Sequence, residues 1–228
     1  MDSGLYIAAS GMLTEMVRQE QISNDLANVN TPGFKSDGTV QTSFGELLLQ
    51  NTSTGAQIGS ISLGAQISET PTNLTPDPLH ETGEALDFGI EGEGFFGVST
   101  AAGVRYTRNG QFTADAEGNL IDAQGDAVLG PNGAPVKLRA DGTVPAADVG
   151  VFEVAGVRQE GENLFTGNAT GAASGQARAG FLEESGVNPA RVMTQMISSL
   201  RSLEADQKSI QTIDETLDES AGSVGSIS

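Results

Sequence analysis

The chain has 228 residues, of which 30 are acidic and 11 are basic, so its net charge is −19. The basic residues are scattered between Arg18 and Lys208, which excludes the basic stripe that a nucleic-acid-binding protein needs to contact phosphates. Because there is no cysteine and only one histidine, the sequence offers no disulfide, no thiolate nucleophile and no cysteine- or histidine-rich metal site.

The first predicted element is an amphipathic helix from about Ser3 to Asn28. Its first apolar residues recur at spacings of four, three and four and are Leu5, Ala9, Met12 and Met16. The stripe continues to Leu26. Pro32 and Gly33 end the helix, because the residue before a proline is displaced from the α region. The segment has no basic residue before Arg18, and no apolar run in the chain approaches the roughly 20 residues of a membrane span. We therefore predict neither a cleavable signal peptide nor membrane insertion.

The middle of the chain is rich in glycine and contains eight of the eleven aromatic residues, a composition typical of strands and turns. Residues 36–85 are rich in Ser, Thr, Gly and Gln, and we predict an extended linker there. Over residues 86–181 short strand signals alternate with turn sequences, of which Asn109-Gly110 is a strong hairpin signal. This pattern predicts a central antiparallel β domain and not an α/β fold.

A second and longer amphipathic helix is predicted near the C-terminus, with Asn188 as its N-cap and Pro189 as its first residue. Six of the eight residues that follow at alternating spacings of three and four are apolar: Met193, Met196, Leu200, Leu203, Gln207, Ile210, Asp214 and Leu217. This stripe is too long and narrow for a compact small domain to cover. We therefore expect the terminal helices to pair with each other and with other chains; the alternative is two ordinary amphipathic helices packed on their own β domain.

The predicted fold class is α+β, with long N- and C-terminal coiled-coil helices flanking a central antiparallel β-rich domain. We divide the chain into four segments. These are an N-terminal helix and turn, an extended linker, the β domain and a C-terminal helix that pairs with the first, over residues 1–35, 36–85, 86–181 and 182–228.

Motifs that would support catalysis or cofactor binding are weak. Residues 92–97 match G-x-G-x-x-G, but they lead into a predicted strand, whereas a dinucleotide site needs a helix there. His80 lacks a nucleophile partner, and thirty carboxylates make chance pairs inevitable, so a hydrolase is the weakest alternative. Asp115, Glu117 and Asp122 do not have EF-hand spacing, which leaves only weak calcium binding open. We predict no enzyme activity, no catalytic residue, no cofactor and no metal site.

Residues 26–35 read Leu-Ala-Asn-Val-Asn-Thr-Pro-Gly-Phe-Lys, which resembles the signature that ends the N-terminal helix in bacterial flagellar rod and hook proteins. Residues 92–130 resemble that family's central β domain, and residues 182–212 resemble its C-terminal end. Gly186 stands where the family commonly has Asn, and Leu203 where it commonly has an aromatic residue. The chain is too short for the large outer domains of hook proteins, so the rod proteins remain, with the proximal form favoured over the distal form.

This resemblance implies a structural subunit of the flagellar basal-body rod, the axial tube that transmits torque and serves as the export channel. Identical subunits would stack helically, with the terminal helices inside and the β domain outside. The implied partners are other copies, other rod and hook proteins and the flagellar export apparatus, which would deliver the chain across the cytoplasmic membrane to the basal body. The alternative function is a secreted adhesin or surface-interaction protein with coiled-coil ends.

Two groups of residues are expected to serve this function. The predicted subunit interface consists of apolar residues of the two helices: Leu5, Met12, Met16, Leu26, Met193, Met196, Leu200, Leu203, Ile210 and Leu217. The predicted hinge, which sets the angle between the inner helix and the outer β domain, consists of the turn after the first helix: Asn28, Thr31, Pro32, Gly33 and Phe34.

Overall fold

The computed structural model describes residues 2–43, 45–50, 57–62, 64–161 and 163–225. The chain forms two compact units, each assembled from segments that are distant in sequence. The helical unit comprises Met1–Leu26, Asp37–Pro71 and Pro189–Ser228. The β unit comprises Ala27–Ser36 and Thr72–Asn188.

Two long helices dominate the helical unit, as the sequence predicts. Helix α1 spans Asp2–Ala27, and helix α2 spans Pro189–Gly225 and begins directly after Asn188. Pro189 is tolerated at the first helical position because its missing N–H would have no partner within the helix. Neither helix is long and apolar enough to cross a membrane, within the part of the chain that is described.

The two helices contact each other in an antiparallel arrangement. A Cβ atom built on Gly4, near the start of α1, would lie 3.8 Å from Ile213 Cδ1, near the end of α2. Further along α1, Ser199 Oγ of α2 donates a hydrogen bond to Glu15 Oε2 at 2.9 Å. Position numbers therefore rise along one helix as they fall along the other.

Residues 36–85 differ from the predicted linker, because their extended segments are paired as strands. Strand β1 (Val40–Ser43) pairs antiparallel with β4 (Ala65–Glu69), and β2 (Glu46–Gln50) pairs antiparallel with β3 (Gln57–Ser62). The hydroxyl of Thr14 on α1 also donates a hydrogen bond to the carbonyl of Ala65, at 3.2 Å. A Ser-, Thr- and Gly-rich sequence carries little period-2 apolar pattern, so strand pairing was not visible in it.

The β unit contains antiparallel ladders over residues 79–183. Its strands, in chain order, are β5 (Leu79–Glu81), β6 (Phe88–Glu91), β7 (Phe95–Thr100), β8 (Gly103–Thr107), β9 (Thr113–Ala114), β10 (Leu120–Ile121), β11 (Ala127–Leu129), β12 (Val151–Gln159), β13 (Phe165–Ala172), β14 (Gln176–Ala179) and β15 (Phe181–Glu183). The main sheet is centred on β7, which pairs with β8 along one edge and with β12 and then β11 along the other. Because β13 joins β12 to β8, strands β7, β8, β13 and β12 form a closed ring.

Two apolar clusters lie on opposite sides of β7, since successive side chains of a strand point to opposite faces. Phe95 packs with Tyr106 and Phe165, and its ring centroid lies 5.5 Å from that of Phe165. Phe96 belongs to the larger cluster, where its ring meets that of Phe112 edge-on at 5.3 Å. The other buried members of that cluster are Phe88, Ile90, Val98, Leu120, Val128, Val136, Val144 and Val149.

The hairpin predicted at Asn109-Gly110 is wrong. Strand β8 before this dipeptide pairs with β7 and β13, and β9 after it pairs with β10. Gly110 instead allows a close backbone approach, because a Cβ atom there would overlap the carbonyl oxygen of Phe88. Asn109 Oδ1 accepts a hydrogen bond from the N–H of Gln111 at 3.0 Å. The dipeptide therefore packs a loop against β6, a role that glycine also fills.

Candidate subunit interface

The inward-facing stripe of α2 has the predicted spacing but coincides with the predicted stripe only at every second position. The buried and half-buried residues that recur at spacings of four and three are Val192, Met196, Ser199, Leu203, Asp206, Ile210, Ile213 and Leu217. Four predicted positions (193, 200, 207 and 214) are exposed, and their preceding neighbours lie inward instead. One residue corresponds to about 100° of helix rotation, so this shift changes which face contacts α1.

The ten predicted interface residues consequently fall into two groups. Six are half-buried: Met12, Leu26, Met196, Leu203, Ile210 and Leu217. The other four are exposed by 38–53 %: Leu5, Met16, Met193 and Leu200.

Five further large apolar residues of the helices are exposed, none of which belongs to the predicted interface. They are Tyr6, Ile7, Leu13, Val17 and Ile197, with exposures of 37–65 %. On α1 three of them form a second stripe at positions 6, 13 and 17, displaced by one residue from positions 5, 12 and 16 of the predicted one. The repeated spacing of seven and four was therefore the signal that could have identified this second stripe.

Eight of the exposed apolar residues of the two helices face away from the helix–helix contact. Counting about 100° per residue from Gly4 on α1 and from Ser199 on α2, these eight lie about 100–220° from the contact, whereas Ile7 lies at about 300°. In an antiparallel pair, equal rotations below 180° point to the same side, so Leu5 and Met16 of α1 share a side with the α2 residues, whereas Leu13, Tyr6 and Val17 point away from α2. We call this surface the apolar face: Leu5, Tyr6, Leu13, Met16, Val17, Met193, Ile197 and Leu200.

The helical unit also has a strong negative charge. It contains 4 basic and 13 acidic residues, so its net charge is 4 − 13 = −9. Two copies that bring their helical units together must therefore overcome charge repulsion, which salt screens over about 10 Å at 0.1 M.

Asp25 is an acidic group buried near the end of α1, with 8 % of its surface exposed. Burial, and secondly the neighbouring carboxylate of Asp37, raise the pKa of Asp25 to about 6. Hydrogen bonds from Gln21 and from the Asp37 backbone, and the charge of Arg191, act in the opposite direction. Asp25 Oδ1 has no hydrogen-bond partner among the described residues. The helical unit therefore contains a carboxylate that is unfavourable in its charged form.

The predicted hinge residues lie in a packed turn of the β unit. Thr31 Oγ1 donates a hydrogen bond to Asn28 Oδ1 at 3.1 Å, and Phe34 is 3 % exposed. Gly33 has a φ of +65°, a left-handed conformation that favours glycine. A Cβ atom at this position would overlap the carbonyl oxygen of Arg108.

The candidate chemical motifs have structural roles in the described residues. Asp115 Oδ1 accepts a hydrogen bond from the N–H of Asn119 at 2.7 Å, and Asp122 Oδ1 accepts one from the N–H of Asp126 at 2.8 Å. These carboxylates therefore cap the turns between short strands. His80 lies exposed on β5, and no group of three or more His, Cys, Asp or Glu side chains in the described ranges could hold a metal ion.

Three family models match the chain in succession. They are described as flagella basal body rod protein, flagellar hook protein FlgE/F/G D1 domain and flagellar basal body rod FlgEFG protein C-terminal, and they match residues 5–35, 89–155 and 178–222. Each of these ranges includes one of the strings that carried the resemblance.

Whole-length relatives agree with these matches. The flagellar basal-body rod protein FlgG of Bacillus subtilis (strain 168) is 32 % identical over 254 residues, which cover 94 % of this chain and 96 % of the relative. The flagellar basal-body rod protein FlgF of Caulobacter vibrioides is 31 % identical, with 91 % and 92 % covered. The flagellar hook-basal body complex protein FlhO of Bacillus subtilis (strain 168) is 28 % identical over the whole of both chains. The chain therefore belongs to the flagellar basal-body rod protein family, whose members are structural proteins of the flagellar basal body.

Proposed function

We propose that this protein polymerises through the apolar face of its helix pair, as a structural subunit of the flagellar basal-body rod. The observation that carries the proposal is the apolar face itself, which exposes eight large apolar side chains of the two helices away from their mutual contact. Exposed apolar surface of this extent marks an interaction site in a folded protein. The occupant is a second copy of the chain, since the matched relatives belong to a family of rod subunits.

The energetics favour a polymer over an isolated dimer. Complete burial of one large apolar side chain contributes about 1.5–3 kcal/mol, so the half-exposed residues of the apolar face contribute about 1 kcal/mol each. Association costs about 4–15 kcal/mol in lost translational and rotational freedom, which leaves little net affinity in a single contact. An interface that joins different surfaces of successive copies repeats the contact along an open helical filament.

The flexible side chains of Met16 and Met193 suit such a filament. Methionine adapts to irregular packing, so the same residue can fill slightly different sites in neighbouring copies. We further propose that α1 and α2 form a coiled coil in the assembly, supported by the spacing of four and three along the inward face of α2. We also propose that the β unit forms the outer layer of the tube and that the turn at residues 28–34 is the hinge that sets the angle between the inner helix and the outer layer.

The remaining parts of the functional hypothesis concern enzyme activity, partners, export and position in the rod. We propose that the protein has no enzyme activity and that its partners are other rod and hook proteins. Recognition by the flagellar export apparatus and a position in the proximal rod remain predictions, since relatives named FlgG and FlgF match about equally well. The comparisons lend no support to the secreted adhesin alternative.

The polymerisation proposal can be tested with the purified full-length chain. We expect sedimenting filaments above a critical concentration, and a lower critical concentration when NaCl is raised from about 20 mM to about 300 mM, because salt screens the charge of −9 on the helical unit. Electron microscopy of the pellet should show tubes. A chain that stays monomeric at every concentration and salt level would contradict self-assembly through the apolar face.

A further inference from the structure

Four ionised side chains meet in the interior of the β unit. Lys35 Nζ donates hydrogen bonds to Thr75 O at 2.6 Å, to Asp77 Oδ2 at 2.5 Å and to Glu183 Oε1 at 2.8 Å. Arg108 Nη1 donates to Glu183 Oε2 at 3.1 Å. The side chains of Lys35, Arg108 and Glu183 are at most 1 % exposed. We call these three residues, together with Asp77, the ion cluster.

The ion cluster is held by neutral groups as well as by its charges. The N–H of Asp77 donates a hydrogen bond to Glu183 Oε1 at 2.8 Å, and Arg108 Nη2 donates one to Gly92 O at 3.0 Å. The Arg108 guanidinium also lies 5.4 Å from the centre of the Phe95 ring. Buried charges need such additional partners, because the attraction within an ion pair alone rarely compensates for the loss of water.

Backbone hydrogen bonds surround the ion cluster and join the two chain segments that connect to the helices. The N–H of Gly33, which follows α1, donates to Glu183 O at 2.9 Å. The N–H of Gly186, which precedes α2, donates to Phe34 O at 2.9 Å, and Ser185 Oγ donates to Asn28 O at 2.9 Å. The connections at residues 28–36 and 183–188 are therefore tied directly to each other.

We propose that the ion cluster is a clip that makes both helix connections part of the cooperative fold of the β unit. Lys35 and Glu183 are 148 residues apart in sequence, so only the folded β unit brings them together. Opening either connection would leave a buried charge without its partner, which is strongly unfavourable. The hydrogen bonds between the two connections therefore persist when the helices unfold. They form only after strands β8 and β15 have folded.

Amide hydrogen exchange on the monomeric full-length chain tests this clip without depending on assembly. In Lys35→Met, which keeps the length of the side chain and removes its charge, we expect the amides of Gly33 and Gly186 to lose protection by about tenfold or more. The amides of β7 and β8 should change by less than about twofold. The control is Arg139→Met, because Arg139 pairs with Asp148 at 3.5 Å on the surface, with both side chains more than half exposed.

Equal protection of Gly33 and Gly186 in Lys35→Met and Arg139→Met would overturn the proposal. If Lys35→Met also unfolds the β core, Asp77→Asn decides, since this carboxylate is 24 % exposed and contributes only one of the three Lys35 contacts. A loss of protection confined to the two connections supports the clip. A uniform loss across the β unit refutes it, because the ion cluster would then act only on global stability.

Discussion

Ile197→Glu should block assembly while leaving the monomer folded. The Ile197 side chain is 56 % exposed, so the monomer loses little packing and its free energy of unfolding should change by less than about 0.5 kcal/mol. In the assembly the exposed part would be buried, which is worth about 1–2 kcal/mol and therefore about a 5- to 30-fold change in the association constant of each contact. A buried carboxylate adds a desolvation cost of several kcal/mol.

Ser198→Glu is the matched control for this substitution. Ser198 is the exposed neighbour of Ile197, and it lies about 100° further round α2, away from the apolar face. The two variants add the same charge to the same turn of the helix, so any difference between them reports the apolar face and not the net charge.

The assays are the critical concentration of the purified variants and the swimming of cells that carry each variant as their only copy. We expect Ile197→Glu to raise the critical concentration by at least about fivefold and to abolish swimming, with Ser198→Glu close to the original protein. Circular dichroism at 222 nm checks that both monomers are folded. Equal assembly and equal swimming of the two variants would refute the assignment of the apolar face as the subunit interface.

Three further substitutions test other parts of the structure. Leu203→Glu places a charge on the half-buried side of α2 and should lower the melting temperature of the helices in the monomer itself; an unchanged melt would contradict the inward register. Asp25→Asn should stabilise the helical unit at pH 7 by at most about 3 kcal/mol, because the folded-state pKa of Asp25 is raised from 3.8 to about 6. The folded chain binds the Asp25 proton more tightly than the unfolded chain, so the free energy of unfolding falls as pH rises from about 4 to about 6 and is level above that. Urea unfolding of Asp25→Asn should not show this fall. Gly33→Ala should lower the stability of the β unit by roughly 2–5 kcal/mol, from the left-handed φ and the overlap with the Arg108 carbonyl; a melt of the β unit within about 1 °C of the original would disagree.

The elements that the sequence predicted well are those with strong local signals. Asn188-Pro189 marks the start of α2 and the turn at Pro32 ends α1, because capping and proline geometry depend only on neighbouring residues. The antiparallel β domain follows from frequent glycine turns between short apolar runs. The family was recognisable from residues 26–35 for the same reason, since a short and specific string is local information.

The strands in residues 40–69 and the loop at Asn109-Gly110 depended on partners that are distant in sequence. The strands pair through their backbones, and their sequences carry little apolar pattern. The loop packs against Phe88, about twenty residues away. The five exposed apolar residues of the helices outside the predicted stripe were overlooked because spacing alone does not say which side of a helix its partner helix covers.

The sequence by itself determined the two helices, the β class of the middle and the family, because each depends on periodicity or on short motifs. Only the tertiary structure decided which side of each helix stays exposed, since a rotation of one residue, about 100°, exchanges an inward Ser199 for an outward Leu200 without altering the spacing. The existence of the ion cluster also depends on the tertiary structure. Its members are single charged residues that form no local sequence pattern: Lys35, Asp77, Arg108 and Glu183. Long-range packing brings them together, and no property of their immediate neighbours records it.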